Sequence, residues 1–296
     1  MDMIRKYQNG NTTVTIYEDG TKIREFDDVP EIYFPESLDV KITNYCDLGC
    51  KYCHENSTIK GKHADLEKLK AVLVSLPAGV ELAIGGGNPL DHPNLIDFLI
   101  WCQEKGLICN ITVNQRHLKK HLATLETLIE EKLIYGLGIS IVNNYYKEIE
   151  YLKTLTNNIV YHIIAGVNDI SELDSLNSIG NCKVLILGYK NFGRGVDYYS
   201  EEVDKNIELW QKQLPLYLGK FSISFDNLAL EQLNVQSMIS ENIWNSFYMG
   251  DDFSFTMYID AVKQEYSPTS KSLDRVSFNK MSLFEYFINF KNKWIT

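Results

Sequence analysis

Three cysteines, Cys46, Cys50 and Cys53, fall within eight residues of the stretch KITNYCDLGCKYCHENS, spaced C-x3-C-x2-C. Closely spaced thiolates hold zinc or iron–sulfur clusters. A closed zinc site takes four ligands and usually pairs one C-x2-4-C element with a second, separated pair. No second pair follows, because Cys102, Cys109 and Cys182 are scattered and share no ligand spacing. Those three read as buried thiols acting as small hydrophobes. For the cluster, three readings stand: core packing, a zinc site completed by His54, or a [4Fe–4S] cube held at three corners with its fourth iron open to a small molecule.

Bulk composition narrows the setting. The 296 residues are 45% hydrophobic and 23% charged, enough for one large α/β domain or a core with an appendage. No apolar run approaches the roughly 20 residues of a membrane span, and MDMIRKYQNGNTT has no apolar signal region. The expected location is the cytoplasm, where a tight cysteine cluster points to metal or redox chemistry rather than disulfides. A net charge of −10 weighs against a nucleic-acid partner.

The elements that must position the cysteines follow a rhythm. Residues 12–26 read as a hairpin around an Asp-Gly turn. Strand-like runs then begin at LDVKITNY, VELAIGGG, LICNITVN, YGLGISIV, NIVYHIIAGVN and CKVLILGYK, separated by segments of helical period, one closed by Gly106 as a C-cap. Six β-then-α units imply parallel strands, in an open (β/α)6 barrel or a doubly wound sheet, with the active site at the strands' C-terminal ends. Beyond about residue 200 the rhythm changes: EEVDKNIELWQKQLPLYLG is helix-like, FSISF a short strand, FSFTMYIDAVKQEYSP a strand pair and MSLFEYFINFKNKW a terminal helix. The expected division is 1–37 for the hairpin and connector, 38–200 for the core and 201–296 for a small α/β extension.

The order strand, C-x3-C-x-Tyr-C, then βα repeats resembles the radical S-adenosylmethionine (SAM) superfamily over roughly residues 38–195. The aromatic position of its motif is Tyr52. The resemblance implies a partial (β/α)6 barrel, a [4Fe–4S] cluster on Cys46, Cys50 and Cys53, and SAM on the open iron. Gly86, Gly87, Asn88 and Pro89 in IGGGNPL match the family's GGEP segment, which holds the methionine amino group, with Asn88 departing from the usual Glu. Asn114 falls where relatives read TNG, with Gln115 replacing the glycine. Ser140 falls where the ribose or the methionine carboxylate is contacted. Gly166 and Gly188 lie in segments that embrace adenine. Local readings remain beside these: Asn114 as a helix cap, Ser140 satisfying a loop amide, and the glycines relieving strain.

The resemblance further implies one-electron cleavage of SAM to methionine and a 5′-deoxyadenosyl radical that abstracts hydrogen from a substrate. The electron would come from an external flavodoxin- or ferredoxin-type donor. A peptide or protein substrate is favoured over a small metabolite. MYIDAVKQEYSPTS has the flavour of the family's cysteine-rich SPASM segment, with Thr269 where Cys is usual. Cys182 sits at the wrong end of its strand to return a hydrogen atom. Arg194 is expected in solvent or facing a substrate carboxylate, and His54, His63 and His92 in supporting roles. The alternatives are a nucleoside or nucleic-acid modifier, and a non-catalytic Fe–S or zinc-binding interaction protein. No catalytic residue beyond the cofactor ligands is legible.

Overall fold

Alternation along the chain resolves into two sheets. The computed structural model describes residues 2–143, 145–180, 182–220 and 222–294, so Asn144 of the predicted fourth helical segment and Phe221 of FSISF lie outside the described residues. Strands β1 (Met3–Asn9), β2 (Thr12–Tyr17) and β3 (Lys22–Glu25) form an antiparallel sheet in that order. The Asp-Gly turn joins β2 to β3 as the sequence predicts. β1 is exposed at most positions and lacks the apolar alternation that would announce it.

Six parallel strands follow in unbroken chain order: β4 (Ser37–Thr43), β5 (Glu81–Gly86), β6 (Ile108–Asn114), β7 (Gly136–Ser140), β8 (Ile159–Ile164) and β9 (Lys183–Leu187). Between them run α1 (Leu66–Leu73), α2 (Leu95–Glu104), α3 (Leu122–Glu130), α4 (Lys147–Leu155) and α5 (Glu172–Ser178). Asp65 caps α1 by accepting from the Glu67 and Lys68 amides. Gly106 closes α2 in the left-handed conformation, φ +72°. A doubly wound sheet would reverse its strand order at a switch point. The unbroken order winds one way, which decides for the open barrel.

The C-terminal residues extend the same sheet at both edges. After α6 (Gly195–Tyr198) and α7 (Glu201–Gln213), β10 (Ser222–Phe225) pairs parallel with β9. α8 (Asn227–Gln232) and α9 (Glu241–Phe247) lead to β11 (Thr256–Asp260), which pairs parallel with β4 at the opposite edge. β12 (Glu265–Ser267) and β13 (Val276–Ser277) complete ten strands, and α10 (Leu283–Trp294) packs Tyr286 against Tyr266.

Side chains alternate between two faces. Outward residues such as Leu38, Ile42, Leu82, Ile84, Ile111 and Ile163 are fully buried among the hydrophobic core. Truncating one of these to Ala costs about 2–5 kcal/mol. Inward positions of β4 to β7 include the polar or bare Asp39, Lys41, Gly85, Thr112 and Gly138, which with His162, Val160, Leu185 and Leu187 line a lumen of about 560 Å³. Gly20, in the turn between β2 and β3, lines its lower end, where Lys183 donates to the Asp19 carbonyl at 2.6 Å. Val14 and Ile16 pack against Ile108, so the N-terminal sheet closes the bottom of the barrel.

Candidate cofactor and active site

The cysteine loop leaves β4 and folds back on itself. Cys46 N donates to Thr58 O at 3.0 Å, and Thr58 N returns a bond to Asn44 O at 3.1 Å. Gly49 (φ +60°) and Asn56 (φ +54°) supply the left-handed residues that let so short a loop turn twice. Cys46, Cys50 and Cys53 are half-buried and form no disulfide. Burial pushes the Cys46 and Cys50 thiols up, reinforced by the other thiols of the loop.

Arg194 locks this loop from the far side of the barrel. Its Nε donates to Cys50 O at 2.9 Å, one guanidinium nitrogen to Ser57 O at 3.0 Å, and its backbone N–H to Cys53 O at 3.1 Å. The guanidinium is half-buried and turned onto the carbonyls of the tight loop rather than extended into solvent. Gly193 beside it has φ +59°, and a Cβ there would fall 2.3 Å from His54 O. The whole FGRG segment is therefore shaped by the cysteine loop.

The glycine-rich segment is bonded to the start of the same loop. Gly87 N donates to Thr43 O and Asn88 N to Tyr45 O, both at 2.7 Å. A Cβ on Gly86 or Gly87 would meet those same carbonyls at 2.4 and 2.1 Å. Asn88 is fully buried: Nδ2 donates to Asp91 at 2.7 Å, while Oδ1 has no hydrogen-bond partner among the described residues. Lys120 bridges Asp91 and Asp47, and His117 bonds Asp47 at 2.7 Å, so α3's approach ties both loops together. The hydrogen bond from His117 and the Lys120 charge outweigh burial and hold the Asp47 carboxyl below its usual range.

The other expected contacts surround the strand ends. Asn114 accepts from Arg116 N at 3.0 Å, the capping role, and Ser140 ends β7 half-buried. Gln115, departing from the glycine of relatives, accepts from Val142 N and Asn143 N and so ties β6 to β7. Tyr52 meets Tyr198 edge-on at 5.6 Å and, with Val167, Leu187 and Gly188, lines a small cavity of about 40 Å³. Gly166 has φ +91° and abuts Val203 and Ile207 of α7, while Gly188 abuts Leu228 of α8. Packing thus requires both glycines whatever ligand lies beside them. Cys102, Cys109 and Cys182 are buried, Cys182 just before β9.

Several residues at this site were not singled out from the sequence. Lys41 pairs with Glu55 at 2.7 Å and Asp260 at 3.3 Å, and Tyr258 donates to Glu55 at 3.1 Å. Burial opposes the Glu55 charge, but His54 and Lys41 outweigh it and hold the carboxyl well below its usual range. Asp226 accepts from Gly188 N at 2.9 Å, and Asn168 accepts from Ile164 N at 2.9 Å, fixing the ends of β9 and β8. The legible signal was period-2 polarity (Asp39, Lys41; Asn110, Thr112; His162) in strands that a fully covered sheet would leave apolar.

The donor set fits a cluster ligated at three corners. The three thiols do not converge within 4.8 Å of one another, whereas Cys46, Asp47 and His117 do. A single zinc needs its ligands converged, but the corners of a cube sit on different irons and stand further apart. His54, the fourth zinc ligand considered, faces Glu55 at 3.5 Å and the Phe192 ring instead. The orphaned Asn88 Oδ1 is an acceptor of the kind an ammonium group requires.

The profile of the Radical SAM superfamily matches residues 40–193, more than half of the chain. An uncharacterized protein of Methanocaldococcus jannaschii, MJ0907, is 32% identical over 100 residues, a match that spans about a third of either chain. Among solved structures, SuiB of Streptococcus suis bound to its precursor peptide SuiA superposes with a TM-score of 0.64 at 15% identity, over 86% of this chain and 65% of SuiB. SuiB bound to S-adenosylmethionine gives 0.63 at 14% identity, over 86% and 66%. The structure of anSMEcpe with AdoMet and a peptide gives 0.57 at 13% identity, over 87% and 81%. At these identities the likeness is one of fold, and it is to the partial barrel. No helix among the described residues is long and apolar enough to cross a membrane. The matched profile takes in the three cysteines, the glycine-rich segment, the latter half of β4 and every strand from β5 to β9, and on it the chain belongs to the radical SAM superfamily.

Proposed function

We propose that the protein modifies a peptide or protein by hydrogen abstraction, with Cys46, Cys50 and Cys53 holding the cluster at the mouth of the barrel. When bound, the cluster and SAM would supply a 5′-deoxyadenosyl radical, with methionine released and the one electron consumed in that cleavage coming from an external flavodoxin- or ferredoxin-type donor. The single observation that carries this reading is the pair of 2.7 Å bonds joining Gly87 and Asn88 to the cysteine loop above the lumen. They set a ligand cradle beside the thiols and over a cavity for substrate.

The chain's own residues then have separable tasks. Gly86, Gly87 and the free Asn88 Oδ1 receive the SAM amino group. Ser140 and the amide nitrogen of Asn114 meet the ribose and carboxylate, and Tyr52 with the backbone at Gly166 and Gly188 flanks adenine. The N-terminal sheet below, and the Lys190–Ser270 bond at the side, keep bulk water from the lumen. Peptide as the substrate class is supported by the fold's likeness to two proteins whose structures hold peptides.

Anaerobic reconstitution with iron and sulfide, followed by dithionite and SAM, tests the reading. A brown protein that forms 5′-deoxyadenosine, and loses that product when Cys46, Cys50 and Cys53 are all changed to Ala, is the expected outcome. A colourless protein carrying one zinc sinks it. Deuterium transfer from labelled peptide into 5′-deoxyadenosine would establish the substrate class.

A further inference from the structure

Charges inside the barrel do not balance. Among the carboxylates that line the lumen, Glu55 is paired with Lys41 at 2.7 Å and Glu81 with Lys22, and Asp226 is occupied by the Gly188 and Ala229 amides. Asp39 has no hydrogen-bond or ion-pair partner among the described residues. Its carboxylate is exposed to the lumen, on the inner face of a barrel whose wall surrounds it. Burial pushes it up; Lys190 opposes that, and Asp226, Asp252 and Glu55 add to it. Lys190, the lumen's remaining cation, turns its ammonium to Ser270 Oγ at 3.4 Å.

Space opens beside this carboxylate. In its register row the neighbouring strands present Ala83, Asn110 and Gly136, and the row above presents Gly85, Thr112 and Gly138. A Cβ on Gly85 would meet nothing within 4 Å, while at Gly138 one would press on His162 and Thr112 at 2.7 and 2.9 Å. His162 is kept neutral by burial, its pKa lowered to about 4, so it does not oppose a positive ligand.

We propose that the lumen beneath the cofactor cradle recognises a cationic group of the substrate, a primary ammonium or guanidinium at the end of an extended chain, with Asp39 as counter-ion. An unpaired carboxylate facing a protein-lined lumen is free to accept charge-assisted hydrogen bonds from a cation that enters it. An anionic ligand would instead meet more carboxylates than lysines. Asp39 lies four residues below Thr43, about 13 Å at ~3.3 Å per residue. A cation docked on it leaves an aliphatic stem passing Gly85 and Gly138 toward the cradle, where hydrogen would be abstracted. The inference rests on the reading given under Proposed function.

The test uses the reconstituted holoenzyme with SAM and no reductant, so that nothing turns over. Calorimetry compares three probes: a capped peptide Gly-Gly-Lys-Gly-Gly, its norleucine counterpart, and 1,5-diaminopentane. The lysine peptide should bind about tenfold or more tighter than the norleucine peptide. Asp39→Asn should erase that preference while iron content and SAM affinity stay unchanged and the melting temperature of the ligand-free protein does not fall. A peptide that outbinds the diamine assigns the cation to a side chain, and equal binding assigns it to a free amine; both support the subsite. Equal affinity for lysine and norleucine peptides, a preference that survives Asp39→Asn, or a lowered melting temperature in that variant overturns it. Iron and SAM bound without any lysine preference sinks the subsite alone. Absence of iron or SAM binding overturns the enzyme reading and the subsite with it.

Discussion

Arg194 and Cys50 are 144 residues apart in sequence, yet the arginine Nε lies 2.9 Å from the cysteine carbonyl oxygen. The same guanidinium reaches Ser57 O, so one side chain bridges two turns of the cysteine loop. A planar fork with several fixed donors can bridge two carbonyls, whereas a lysine ammonium is a point charge on a flexible stem.

Arg194→Ala should therefore loosen the loop without unfolding the barrel. Charged hydrogen bonds of this kind contribute about 1.5–3 kcal/mol each. Iron release to a chelator under anaerobic conditions should accelerate roughly tenfold or more, with Arg194→Lys recovering only part. Identical release rates in all three proteins would show that the clamp is idle.

Removing one partner from the Lys41–Glu55–Asp260 cluster should be costly. All three side chains are at most 12% exposed, and Lys41→Met removes the cation that two buried carboxylates share. Broken buried pairs typically cost about 3–5 kcal/mol. Urea unfolding should show a loss of that size for Lys41→Met, and a coupling with Asp260→Asn of roughly 0.5–3 kcal/mol in a double-mutant cycle. Additive effects would mean that the contact contributes nothing of its own.

Gly85 and Gly87 of IGGGNPL should respond differently to alanine. Gly85 has open space at its Cβ, so Gly85→Ala should change stability by less than about 1 kcal/mol. Gly87→Ala would place Cβ 2.1 Å from Tyr45 O, forcing backbone to move. We expect a loss above about 1 kcal/mol and weakened SAM binding. Similar melting temperatures for the two variants would contradict the close approach.

His162 should make the fold acid-sensitive. Burial lowers its pKa from the ordinary 6.5 to about 4, with the Lys190 charge adding to the effect. Between those values the unfolded chain binds the extra proton, so stability is complete above about pH 6.5 and falls as pH drops toward 4. Compared with His162→Gln, the wild-type protein should lose roughly 1–3 kcal/mol across that window. Parallel stability curves for the two proteins from pH 7 to 4 would remove the argument.

Much of the cofactor chemistry was local enough to be written in sequence. Cys46, Cys50 and Cys53 share one loop, and ligand spacing along so short a segment already limits the metal centre. The β-then-α rhythm likewise follows from turn residues and apolar period, each read within a few residues. Sequence did not choose between an open barrel and a doubly wound sheet, because strand order is a long-range property. Nor did it show that β11 would pair with β4, some 220 residues away, or that Arg194 would abandon solvent for the cysteine loop.

Asn88 and Asp39 mark the same division. The sequence singled out Asn88, but only packing decided that Asp91 would take its amide and leave Oδ1 without a partner among the described residues. Asp39 looked like an ordinary polar residue in a strand. Closing the barrel turned it inward with no partner, since inward and outward faces are fixed by curvature and the docking of helices on one side. Residue type and spacing determined which chemistry this chain can host. The tertiary structure alone decided which charges are matched and which are left for a ligand, because ion pairs depend on distances in space that no sequence interval encodes.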